Sequence, residues 1–122
     1  MTARAARTAV AAVPVTQALA ERSAALRYAD IPIDVRELAR QCLLDWFAVA
    51  LAGSREDLAR ILLEEALEQG GSAQATLVGH AARTATQQAA LVNGAASHAL
   101  DYDDVNLAFT GHPTVGVMPG LL

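Results

Sequence analysis

Apolar positions along the chain recur mostly at helical spacing, dividing it into four amphipathic segments and one short stretch that reads as extended. The first segment runs from Val15 to Tyr28, with Ala18, Leu19 and Leu26 forming a soft face. Asp30-Ile31-Pro32 ends it, because a residue before proline is driven out of the α region. Asp34 suits the N-cap of a second helix, and Glu37 three residues on completes a capping box. That helix carries Val35, Leu38, Cys42, Trp46 and Val49 at helical spacing, widened by Leu43, Phe47, Ala50 and Leu51. So broad an apolar surface predicts burial on more than one side, with Gly53 as the C′ residue.

Ser54 is expected to open a third helix, with Glu56 and Asp57 near its positive end. Leu58, Ile61, Leu62 and Ala66 form its inner face, and Gly70-Gly71 stops it. Gln74 to Val78 is the one plausible strand. The fourth helix opens at Thr84, with Gln87 in capping-box position, and presents Ala85, Ala89, Val92, Ala96 and Ala99 on one small-residue face. Asn93-Gly94 is ordinarily a turn dipeptide, yet it falls inside this pattern. It is read as helix, with Gly94 admitting a neighbouring backbone. The predicted fold class is mainly α, with a frayed or disordered start over residues 1–14 and one domain over 15–122. The short Ala-rich stretch after Arg4 and Arg7 resembles a secretory signal only faintly, and Pro14 interrupts it.

Composition narrows the function classes. Of 122 residues 28 are alanine, so the core is lean for its length. All nine basic residues are arginine, against thirteen acids, for a formal charge of −4. No basic patch is available to displace counterions from phosphates, so nucleic acid is not an expected partner. Cys42 stands alone, which excludes an intrachain disulfide and a cysteine-pair metal site. No apolar run reaches the ~18 residues of a membrane span. A soluble, cytoplasmic chain is expected.

The distribution of charge says more than its sum. From Gln69 through Leu100 only Arg83 carries a formal charge, and Asp101, Asp103 and Asp104 follow at once. Acids at the end of a helix oppose its dipole, so stability alone does not favour them there. With His98 three residues before Asp101, and His112 on a loop locked by Pro113, these residues concentrate acid–base chemistry. If the helix continued, Asp104 would align with His98 and Asp101, while Asp103 would point elsewhere. Asp101 is expected to be enclosed, and Asp103 and Asp104 to shape the loop. Simpler readings stand beside this one. The two later aspartates could cap a turn, and His98 could be a satisfied buried histidine. Equally, His98, Asp101, Asp104 and His112 are acceptable nitrogen and oxygen metal ligands, although their spacing matches no strong zinc pattern.

The runs Leu43-Leu44-Asp45 to Ala52-Gly53, Ala89 to Gly94, His98 to Asp104 and His112-Pro113 resemble the N-terminal region of the MmgE/PrpD family. That family includes 2-methylcitrate dehydratase, cis-aconitate decarboxylase and related lyases or epimerases of small polycarboxylates. The resemblance covers about Leu26 to Leu122 and is most specific from Asn93 to Pro113. It implies the N-terminal part of a helical domain, accompanied in full-length members by a smaller α/β lid domain and usually dimeric. By motif position it implies Asp101 and His112 as catalytic residues, and no metal or other cofactor; His98, three residues before Asp101, is expected to bind substrate or support that pocket. Full-length members are several times longer, and their remaining histidine and lysines lie beyond Leu122. The chain is therefore expected to be a truncated lyase, inactive by itself. Two other readings remain: a small helical interaction module, and a fragment of a metal-dependent hydrolase. Thr114 stands where the family commonly has a small residue such as Ser.

Overall fold

The computed structural model describes residues 14–108 and 110–122. The readings made for residues 1–13 lie outside them. The chain divides into two compact units, at Ile33 and Asp34.

In the first unit, α1 (Val15–Ala25) buries none of its residues. It ends three residues before Tyr28, where Leu26 is extended, and a 3-10 turn follows over Tyr28–Asp30. A helix with no buried face lacks the tertiary support that lengthens helices beyond their local propensity. Ile31 is extended before Pro32, as expected, but the helix it was expected to end has already stopped at Ala25.

The second unit takes in α2 (Ile33–Gly53) from its second residue, then α3 (Asp57–Gln69) and α4 (Thr86–His98). Asp34 lies inside the first turn of α2 rather than capping it. Of the wide apolar stripe, only the C-terminal end is buried: Trp46, Val49, Ala50 and Gly53. Gly53 is the last helical residue, not a left-handed C′ residue. The need for glycine comes from close packing, because a Cβ there would collide with the Ala96 carbonyl of α4. Gly94, where a close backbone approach was expected, has the Val115 carbonyl oxygen and the Pro119 ring as neighbours, both at ordinary contact distance from a Cβ there.

Ser54 does not start α3. Its hydroxyl donates to the Leu51 carbonyl at 2.7 Å and finishes the turn after α2. The N-cap of α3 is Glu56, and Gly70 ends the helix with φ +71°, where glycine is favoured. Between α3 and α4 the extended stretch is shorter than expected and has a partner that the sequence pattern did not reveal. β1 (Ala75–Thr76) pairs antiparallel with β2 (Arg83–Thr84), Ala75 opposite Thr84. Thr84 is thus a strand residue, and Ala85 is the N-cap of α4.

The core is small and alanine-rich, joining Ala66 of α3, Ala75 and Leu77 near β1, and Ala89 and Val92 of α4. Asn93 explains why a turn-former sits mid-helix. Its side chain is buried, donates to the Thr76 carbonyl at 2.9 Å and accepts from the Val78 amide at 2.9 Å. One amide thereby satisfies two backbone groups that leave the short ladder. After α4 the chain turns back through α5 (Pro113–Val117) and a 3-10 turn over Met118–Gly120, whose Pro119 is buried against Gly94. The fold is mainly α, as expected. Among the described residues no helix is long and apolar enough to cross a membrane.

Candidate active site

Two local features decide which acids meet which histidines. First, α4 stops at His98, and Asp101 takes φ +53°. Asp is among the few residues that enter the left-handed region readily. The helix therefore does not carry Asp104 into line with His98. Second, the loop from Asp104 to His112 is closed as a hairpin, with Asn106 and Gly111 exchanging backbone hydrogen bonds at 2.9 and 3.3 Å. The Asn106 side chain also accepts from the Ala108 amide at 2.9 Å. His112 then lies immediately before Pro113, which opens α5.

The result is a cluster of four side chains. Asp103 forms its floor, with a side chain that has no exposure to solvent. Its Oδ1 lies 2.9 Å from His98 Nδ1, and its Oδ2 lies 3.3 Å from His112 Nδ1. The two imidazoles meet edge to face, centroids 4.7 Å apart and planes at 64°. Above them Asp101 Oδ1 is 3.7 Å from His112 Nε2 and 4.0 Å from His98 Nε2. Exposure rises through the cluster, from none at Asp103 to 25% at His112, 47% at His98 and 78% at Asp101.

The residues named from sequence thus converge: Asp101, His98 and His112 share one site across a separation of fourteen positions. Two expectations are corrected. Asp101 is not enclosed by the described residues: its side chain is 78% exposed, at a left-handed position just past the helix end. Asp103 does not point away into the loop but lies beneath both rings, while Asp104 is the loop-shaping acid. Asp104 accepts from the Thr114 amide at 3.2 Å and from the Thr114 hydroxyl. The hydroxyl at position 114 therefore ties the hairpin to the start of α5. The signal for Asp103 lay in the stop of α4: once the helix ends at His98, the acid five residues on can fold back under it.

Electrostatically the cluster is one-sided. From Leu91 to Leu122 the chain has no Arg or Lys, and Arg83 donates to the Gln74 carbonyl at 2.7 Å. His98, Asp101, Asp103 and His112 each offer one ligand atom, all within 4.8 Å of one another, so a divalent cation fits the donor set. A shallow cleft between α3 and α4, lined by Leu62, Glu65, Gln88 and Leu91 among others, shares no residue with the cluster.

Comparison with known proteins shows the family. The family model of the MmgE/PrpD N-terminal domain matches residues 17–122. A cis-aconitate decarboxylase-like protein, oryM, of Aspergillus oryzae is 29% identical over 96 residues. That match covers 79% of this chain and 20% of the relative, so the chain spans about a fifth of the relative's length. With a helical fold, the Asn93–Pro113 motif folded into one cluster and a family match over most of its length, the chain belongs to the MmgE/PrpD family.

Proposed function

We propose that the cluster is the acid–base half of a lyase site acting on a small polycarboxylate such as 2-methylcitrate, by chemistry that needs no metal. The observation that carries this reading is the approach of Asp101 to His112 at 3.7 Å. Dehydration or decarboxylation next to a carboxylate requires one group to move a proton at carbon and another to orient or protonate. Asp101 and His112 are those two groups, and His98, 4.0 Å from the same Asp101 oxygen, helps hold the substrate. The name of the Aspergillus relative supports a substrate of this class.

The other half of the site is electrostatic. A polycarboxylate beside Asp101 and Asp103 is repelled unless cations hold it and stabilise the developing enolate-like charge. The motif from Leu91 onward supplies none, so in this reading they come from the remainder of a full-length protein. The deciding experiment is Asp101→Asn in a full-length family member carrying this motif. Turnover should fall ~10²–10⁴-fold while substrate binding changes little. A mild loss, equal to that of Asp104→Asn, would overturn the assignment in favour of turn capping.

A second reading rests on a separate observation. None of residues 33–45 of α2 is fully buried, and Ile33, Leu38 and Leu44 are 73%, 59% and 73% exposed. That surface suits a helical interaction module.

A further inference from the structure

We infer that Asp103 is the positioning residue of this site, holding both imidazoles with Nδ1–H turned inward so that both Nε2 lone pairs face Asp101 and substrate. The inference rests on the acid–base reading of the cluster for its catalytic consequence, but its structural core can be measured separately.

A carboxylate offers acceptors only, and one with no solvent exposure must find donors inside the protein. Oδ1 accepts from His98 Nδ1 at 2.9 Å. Oδ2 and His112 Nδ1 are both buried without a hydrogen-bond partner, and they face each other at 3.3 Å. Two complementary orphans at that distance need only a small rotation of the His112 ring to pair. Asp103 is then bonded through both oxygens, one to each ring.

The tautomer follows. Which nitrogen of a neutral imidazole carries the proton is set by the hydrogen bond that the other nitrogen makes. With Nδ1–H committed to Asp103 in both rings, both Nε2 atoms are acceptors. These are the atoms nearest Asp101, at 3.7 and 4.0 Å. An imidazole so held takes up a substrate proton at Nε2, and the positive charge that forms lies against the buried carboxylate. This is the role that a buried aspartate plays behind the histidine of a hydrolase triad, here serving two rings at once. Asp101, the exposed acid, sits where substrate arrives; Asp103 acts through the rings and touches no substrate.

The test is long-range proton–nitrogen NMR of the 122-residue chain labelled at histidine, in alkaline buffer after exhaustive chelation. Chelation matters because an ion bound at Nε2 would impose the same tautomer. The expected result is the Nδ1–H tautomer at both His98 and His112. In Asp103→Asn one ring should switch to Nε2–H, since a carboxamide presents one acceptor and one donor; Asp104→Asn should leave both unchanged. Nε2–H at both rings of the unsubstituted chain overturns the proposal, as does an unaltered pattern in Asp103→Asn. If Asp103→Asn does not fold, the pattern of the unsubstituted chain decides alone. Turnover separates this proposal from the reading on which it rests. In a full-length member, Asp103→Asn should lower kcat by ~10²-fold or more at nearly constant KM. Nδ1–H tautomers combined with full activity of Asp101→Asn would overturn the lyase assignment and leave the hold of Asp103 on the rings standing.

Discussion

Gly53 and Ala96 meet backbone to backbone: a Cβ on Gly53 would lie 2.0 Å from the Ala96 carbonyl oxygen and 3.1 Å from its carbon. Neither atom can yield like the tip of a flexible side chain. Gly53→Ala must therefore push α2 away from the helix that ends in His98. A destabilisation of about 1–3 kcal/mol or more is expected, although alanine is the better helix former. The denaturant midpoint should fall accordingly; an unchanged or raised midpoint would show that the two helices do not cross this closely.

Asn93 offers a second check, on the link between α4 and the strand pair. Asn93→Asp keeps the acceptor for the Val78 amide but turns an acceptor toward the Thr76 carbonyl. Leaving one buried backbone group unpaired costs about 1–3 kcal/mol, and a charge placed there costs more. A lowered melting temperature, with faster amide exchange through residues 75–84, is the expected outcome.

The metal reading of the cluster is separable from the acid–base one. The four ligand atoms lie within 4.8 Å of one another, so zinc or manganese binding to this chain would be no surprise by itself. Acid–base chemistry by Asp101 and His112 predicts that removing metal from a full-length member leaves turnover intact. Loss of activity on chelation, restored by one equivalent of zinc or manganese, would favour a metal-dependent hydrolase.

Apolar surface on α2 carries a fourth prediction. Ile33 and Leu44 are each 73% exposed. The isolated chain should bind a hydrophobic dye or self-associate, as contiguous apolar patches do. Ile33→Gln with Leu44→Gln should reduce both effects without lowering the melting temperature. A clean monomer that ignores the dye would contradict this.

The longer helices were legible because their periodicity is long: α2, which ends at Gly53, and α4 lie almost where their apolar spacing puts them, although α4 stops at His98 with no glycine or proline directly after it. Caps were less legible. Asp34, Ser54 and Thr84 are all good N-cap residues by type, yet each is used for something else, since side-chain chemistry identifies a neighbourhood rather than a position. β2 escaped notice because two residues are too few to alternate. The segment from Gln69 to Leu100 is uncharged apart from Arg83. It buries Ala75, Leu77, Ala89, Val92 and Ala96, and the larger bare surface is on α2. Within the site, the convergence of Asp101 with His112 followed from the motif. The place of Asp103 did not, because it depends on where α4 ends.

That ending has a consequence for position 101. Its side chain supplies the exposed carboxylate of the cluster, while its backbone, at φ +53°, makes the bend that sends Asp103 beneath the rings. Chemistry and route are thus fixed by one residue. Glutamate would carry the same charge but enters this backbone region less readily, and glycine would make the bend but carry no acid. Asparagine alone keeps the length and the tolerance for the bend while removing the charge, so it isolates the proton-transfer role proposed for Asp101. An alanine substitution would instead disturb the path to Asp103 as well, and report two losses as one.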